Sequence, residues 1–202
     1  MSDYIKFVCE CAAAEIISFD RLAELNACRR KLLRLRLIGV DASGIGFGNL
    51  SVRDGANFYV TGSATGGMPE VALADCARVL EYDFKRNWLR YEGTVIPSSE
   101  SLTHAAVYES DAKAGAIIHC HDSKLWAALL SDAPSTSEAA EYGTPEMACE
   151  VMRLFKVTDV QRRRVFVMAG HEGGIVTFGK VLEEALAVLM REWNQRDDAM
   201  KR

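Results

Sequence analysis

The 202-residue sequence predicts a single α/β domain. Three features carry that expectation. Short apolar, β-branched runs are bounded by glycine or polar turns, amphipathic stretches separate them in the second half, and no repeat, low-complexity tract or linker divides the chain. Tyr4 to Ser18, rich in alanine, glutamate and aliphatics, is expected to be helical. Asp20 is placed as the N-cap of a second helix, in which Leu22, Leu25, Leu32, Leu33, Leu35 and Leu37 interleave with arginines until Gly39 ends it. The glycine-rich passage from Ser43 to Asn49 leads into a strand at Leu50 to Arg53. A turn at Asp54-Gly55-Ala56-Asn57 and a returning strand at Phe58-Tyr59-Val60 complete a hairpin. Thr61 to Gly67 is a second glycine-rich loop, and Cys76 to Asp83 pairs with Trp88 to Tyr91 around Lys85-Arg86-Asn87.

The second half alternates more regularly. Ser98-Ser99-Glu100 opens a helix to about Glu109, Ala116 to His119 is a strand, and Lys124 to Leu130 is a helix. Thr144-Pro145-Glu146 opens another helix, ending near Phe155. Strands at Val165 to Met168 and Ile175 to Phe178 flank Gly170-His171-Glu172-Gly173-Gly174, and an amphipathic helix from Val181 to about Arg196 closes the pattern.

Composition narrows the function. With 49% hydrophobic residues the chain can build a core, and its 24 basic against 28 acidic residues leave a net charge of -4. Phosphate neutralisation needs a basic face, so a non-specific nucleic-acid binder is not expected. The one basic run, Gln161-Arg162-Arg163-Arg164, reads as a solvated connection before a strand. No stretch approaches the roughly 20 apolar residues of a membrane span, and Met1-Ser2-Asp3-Tyr4 does not begin an export signal. Cys9, Cys11, Cys28, Cys76, Cys120 and Cys149 include no C-x-x-C pair and are all expected to be buried or half-buried free thiols in a reducing, cytoplasmic setting.

Chemistry concentrates in four histidines. His119-Cys120-His121 ends an apolar strand, so alternation puts both imidazoles on one face and Cys120 on the other. That pair offers two ligands to one ion, or simply two hydrogen-bonded histidines at a strand end. His171 also follows an apolar strand, in a glycine-rich turn, and three neutral imidazoles leave a coordination position open. Glu172 is either a further ligand or a solvated turn residue. In Pro97-Ser98-Ser99-Glu100-Ser101-Leu102-Thr103-His104 the helix start offers free N–H groups to an anion, with Glu100 in the first turn and His104 four residues on. Beside a metal, Glu100 becomes a candidate general acid/base. Gly44, Gly46 and Gly48 are no dinucleotide fingerprint, because a strand rather than a helix follows them. The loops at Gly48-Asn49 and Thr61-Gly62, each meeting a hairpin strand, better suit backbone amides closing around a small anion.

In this order, Gly48-Asn49-Leu50-Ser51-Val52-Arg53, Thr61-Gly62, Pro97-Ser98-Ser99-Glu100 with His104, Ile118-His119-Cys120-His121, Gly170-His171-Glu172-Gly173 and Leu182-Glu183-Glu184-Ala185-Leu186 resemble the class II aldolase/adducin family. The resemblance runs from about Leu22 to Leu189, leaving residues 1–21 as a helical extension before one domain over 22–202. It implies a three-layer α/β/α sandwich around a central, mostly antiparallel sheet. It also implies a homotetramer, or a homodimer, with active sites between subunits. His119, His121 and His171 would bind one divalent metal per subunit, normally zinc. Glu100 would move the proton, while Asn49, Thr61, Gly62, Ser98 and Ser99 would hold a substrate phosphate. The implied activity is a metal-dependent lyase cleaving a small phosphorylated sugar or hydroxy-carbonyl compound through a metal-stabilised enediolate. Epimerase, dehydratase and decarboxylase members of the family are alternatives, as is a non-catalytic adducin-like scaffold. Three departures stand out. The third ligand sits in Gly170-His171-Glu172-Gly173 where the family often has His-His-Gly. The stretch between His121 and Tyr142 lacks the tyrosine that aldolases use as a proton donor. Finally, Arg202 follows closely on the last helix.

Overall fold

The computed structural model describes residues 5–16 and 18–200. In chain order its strands are β1 (Val8–Ala13), β2 (Gly39–Val40), β3 (Gly46–Phe47), β4 (Asn49–Asp54), β5 (Asn57–Thr61), β6 (Cys76–Asp83), β7 (Trp88–Glu92), β8 (Ala116–His121), β9 (Val165–Val167) and β10 (Gly174–Gly179). The helices are α1 (Leu22–Arg34), α2 (Ser101–Ser110), α3 (Ser123–Leu129), α4 (Pro145–Val157), α5 (Val160–Arg163) and α6 (Leu182–Met200). Eight strands form the central sheet in the order β1-β7-β6-β5-β4-β8-β10-β9. Every neighbouring pair in it is antiparallel except β1 with β7.

Strand alternation builds a core on each face. On one side Leu50, Val52, Ile118 and Cys120 meet Leu25 and Leu32 of α1, Leu125 of α3 and Leu189 of α6. On the other, Val60, Ile117, Phe166 and Val176 meet Leu102 and Ala106 of α2 and Met147 and Val151 of α4. Each fully buried aliphatic side chain contributes about 1.5–3 kcal/mol, so both helical layers are anchored and the chain is the expected α/β/α sandwich. The helix starts follow local chemistry. Thr144 accepts the Met147 N–H at the head of α4, with Pro145 in its first turn, and Asp122 accepts the Leu125 N–H at the head of α3.

The expected N-terminal helix is not present in the described residues. Val8–Ala13 is a strand, hydrogen-bonded in parallel to β7; Tyr4 and Ile17 lie outside the described residues. The local sequence favours a helix, but the open edge of β7 offers a ladder of backbone partners that a helix could not use, and that tertiary option wins. The next helix begins at Leu22, after Arg21 rather than Asp20, and stops at Arg34. Arg36 takes a left-handed φ of 58°, and Leu37 and Ile38 turn into the core instead of continuing the helix to Gly39. The basic run leads into β9 with Gln161 and Arg162 exposed, and its residues up to Arg163 form α5. Its arginines are engaged by Asp159 and Asp132, and Arg164 by Glu184. The six cysteines are free, but only Cys28, Cys76 and Cys120 are buried and Cys9 half-buried; Cys11 and Cys149, expected to be at least half-buried, are exposed. No helix among the described residues is long and apolar enough to cross a membrane.

Candidate active site

β8 ends with His119 and His121 on one face, and Cys120 is buried in the opposite core. β10 lies beside it, with Val176 in register with His119 and Gly174 with His121. The turn before β10 folds back tightly: Met168 N donates to the Gly174 carbonyl and Gly174 N to the His171 carbonyl. Gly173 has φ +81°, and a Cβ on Gly174 would stand 2.7 Å from His171 Cδ2, so the glycines let this turn bring His171 over the strand end. Ring centres are 4.9 Å apart for His119–His121, 4.6 Å for His121–His171 and 5.5 Å for His119–His171. One nitrogen from each lies within 4.8 Å of the other two.

Burial keeps these rings neutral. It pushes His121 down to about 4 and His171 to about 3, and His119, fully enclosed and beside the other two imidazoles, lies well below its ordinary value. Their lone pairs are therefore available near neutral pH. Nε2 of His119 is buried without a partner, and a buried imidazole nitrogen aimed among two other imidazoles fits a divalent ion. Asn49, in register with His119 across β4 and β8, brings its amide 3.1 Å from His119 Nδ1, while its own Oδ1 lacks a partner. With that amide turned over, Oδ1 accepts the Nδ1–H and leaves the Nε2 lone pair for an ion. Glu172 is exposed and stands outside the cluster.

The same cavity, about 380 Å³, is also lined by Glu100, Ser99, Asp41, Phe47 and Tyr142. Glu100 is the residue just before α2 rather than within its first turn. It is 1% exposed. Its Oε2 accepts a 2.6 Å hydrogen bond from Thr103 Oγ1, and Oε1 has no partner. Burial raises its pKa to about 7, against the smaller opposing pull of the Thr103 hydroxyl and of Lys6. A carboxyl poised there can both take and give a proton near neutrality. His104 instead faces the core, with Nδ1 2.7 Å from Ser51 Oγ, which in turn lies 2.8 Å from the Tyr108 hydroxyl.

A second cavity of about 350 Å³ adjoins the first, sharing Ile45, Gly46, Gly48 and Ser99. Gly62, Thr65, Gly66, Ser98 and Ser99 line it, so Gly62 and the serine pair are brought together. The side chains of Asn49 and Thr61 are not part of its wall. Asn49 serves His119, and the fully buried Thr61 accepts the Leu50 N–H through Oγ1 at 3.3 Å. Sequence reasoning missed two residues. Arg29, fully buried in α1, donates from Nη2 to the Thr65 and Met68 carbonyls and so holds the loop under this second cavity. Its signal was an arginine on the same helical face as Leu25 and Leu32. Lys6 stands with its ammonium 4.1 Å from the centre of the Tyr142 ring. That ring is 4.6 Å from His171. Reading residues 4–18 as a helix hid it.

Residues 35–191 match the family model for the class II aldolase and adducin N-terminal domain. No curated protein matches the chain. Among solved structures, an L-fuculose 1-phosphate aldolase superposes with a TM-score of 0.67 at 23% identity, covering 91% of this chain and 86% of that one. The L-fuculose-1-phosphate aldolase of Thermus thermophilus gives 0.66 at 20% identity, over 89% and 92%. YgbL of Klebsiella pneumoniae, provisionally described as an aldolase/epimerase/decarboxylase, gives 0.66 at 19% identity, over 89% and 87%. At such identities the likeness establishes a common fold.

Proposed function

The chain belongs to the class II aldolase and adducin family, and on that premise we propose that it is a metal-dependent lyase performing retro-aldol cleavage of a small phosphorylated sugar or hydroxy-carbonyl compound. The observation that carries this reading is one cavity in which three neutral imidazoles meet a buried carboxyl, next to a pocket of glycines and serines. In it, His119, His121 and His171 would hold one divalent ion, zinc by the chemistry of the donor set. Such an ion would supply Lewis acidity to a substrate carbonyl, stabilising the negative charge that carbon–carbon cleavage develops.

The chain's own residues do the rest. Glu100 moves the proton at the enediolate carbon through Oε1, the oxygen that Thr103 leaves free. Burial sets its affinity for that proton close to neutral pH. Gly62, Ser98 and Ser99 take the phosphate, at a distance from the bond being broken, and so fix the pose. Asn49 orients His119, and Thr61 joins the start of β4 to the end of β5 beneath the phosphate. The assembly in this reading is a homotetramer with sites between subunits.

Metal content per chain, measured by elemental mass spectrometry on protein purified without chelator, tests the centre. Near-stoichiometric divalent metal, lost in His171→Ala, is expected. A panel of sugar phosphates then tests the reaction, product analysis separating cleavage from epimerisation, dehydration and decarboxylation. Protein that contains no metal and takes up none on adding zinc would overturn the lyase and favour a scaffold.

A further inference from the structure

The segment preceding β1 passes against the histidine cavity. Phe7 is buried in the core beneath α2 and α4, and the Lys6 carbonyl accepts a 2.9 Å hydrogen bond from Asn87 Nδ2. The same Asn87 nitrogen donates to the Gly143 carbonyl at 3.3 Å, and Val8 N donates to the Asn87 carbonyl. Lys6 is thereby tied to the stretch that carries Tyr142. Its ammonium meets the Tyr142 ring at 4.1 Å and Glu141 Oε2 at 2.7 Å. The Lys6 side chain is only 26% exposed, whereas Glu141 is 71% exposed, so the ring is the better-sheltered of its two partners. From the other direction, the loop before Tyr142 presses on the histidine turn: a Cβ on Gly170 would come within 2.2 Å of the Ala140 carbonyl oxygen. Tyr142 itself lines the cavity with the three imidazoles, and its hydroxyl has no hydrogen bond among the described residues.

We propose that Lys6 is a positioning residue of this active site, reaching from outside the stretch matched to the family to hold the Tyr142 ring against His171. The cavity wall that meets the substrate then depends on the N-terminal segment that leads into β1. Glu141 serves as a surface counter-ion, and its loss should leave the ring in place.

The test reads ring position without requiring turnover. The chain has four histidines, so the His171 ring C–H resonance of metal-free, carbon-13-labelled protein is assigned by its loss in His171→Gln. Tyr142→Leu defines the shift without the aromatic neighbour. Lys6→Met should move the resonance most of the way toward that value, while Lys6→Arg and Glu141→Gln should stay at wild type. Thermal melting checks that each variant is folded. A kinetic arm, which alone rests on the lyase reading, uses the zinc-loaded protein. There Lys6→Met should raise KM roughly two- to fivefold with little change in kcat, the scale of a half-sheltered cation–ring contact, and Lys6→Arg should restore it. An unmoved His171 resonance in folded Lys6→Met overturns the inference whatever the activity. Wild-type protein with no turnover defeats the lyase reading and leaves the ring result standing.

Discussion

Replacing Glu100 with glutamine should stabilise the metal-free protein at alkaline pH and leave its stability unchanged in acid. The carboxyl is 1% exposed, Thr103 supplies its one side-chain donor, and Oε1 has none. Burial therefore lifts the folded pKa from the ordinary 4.5 to about 7. The folded state binds this proton more tightly than the unfolded chain does. Stability from the protonated form is thus complete below the unfolded pKa and is lost as pH rises through the folded one. At 1.36 kcal/mol per pKa unit, the gap between the two values costs about 3 kcal/mol once both states are ionised. Glutamine is neutral at every pH, nearly isosteric, and keeps an oxygen for the Thr103 hydroxyl. The difference between variant and wild type should therefore be near zero at about pH 4 and climb to about 3 kcal/mol above about pH 8. Urea denaturation at fixed protein concentration, with chelator present, measures it across that range. A difference that is flat with pH, or that grows toward acid, would refute the placement of Glu100 as an uncompensated buried carboxyl. Turnover by the metal-loaded variant should fall by roughly 10²–10⁴ if this carboxyl moves the proton.

Two further outcomes follow from the same geometry. Gly48 has φ +78°, and a Cβ there would stand 2.4 Å from Ile38 Cγ2 and 3.1 Å from Ile38 Cα. Gly48→Ala should therefore cost about 2–4 kcal/mol in denaturant titrations, and a variant as stable as wild type would contradict the packing of this loop. Zinc retention should extend well into acid. With His121 held at about 4 and His171 at about 3, protons compete for these nitrogens only at pH values far below the ordinary imidazole value of 6.5. Equilibrium dialysis should find the ion still bound at about pH 5, and release already at about pH 6 would count against three buried neutral ligands.

The histidine pair was legible because a strand's two-residue period is a local property. Once Ala116–His121 is extended, His119 and His121 must share a face and Cys120 must take the other. His171 was legible by its chemistry and its glycines, although the turn that carries it over the strand end depends on the β8–β10 ladder. Glu100 could be named from its serine neighbours, but its burial, and hence its pKa, is set by the layers that enclose it. The residues expected at a substrate phosphate are likewise placed by longer-range pairing. Ser98, Ser99 and Gly62 meet because an isolated bridge pairs Gly62 with Pro97. Asn49 turns to His119 because the β4–β8 register places them opposite each other, a pairing between residues 70 positions apart.

The first twenty residues illustrate the reverse case, in which local preference points away from the structure. Alanine and glutamate between Tyr4 and Ser18 favour a helix by fractions of a kcal/mol per residue. An open sheet edge offers hydrogen bonds along a whole strand, and the neighbouring residue Phe7 has a place in the core. The larger sum prevails, and its by-product is the Lys6–Tyr142 contact. A helix at that position would have no reason to set Lys6 over Tyr142. A strand in register with β7 fixes Val8 against Trp88, so the residue two positions earlier in the chain is carried to the edge of the histidine cavity. The contact that links the N-terminal segment to the site is therefore a consequence of edge pairing, and it was invisible for as long as that pairing was.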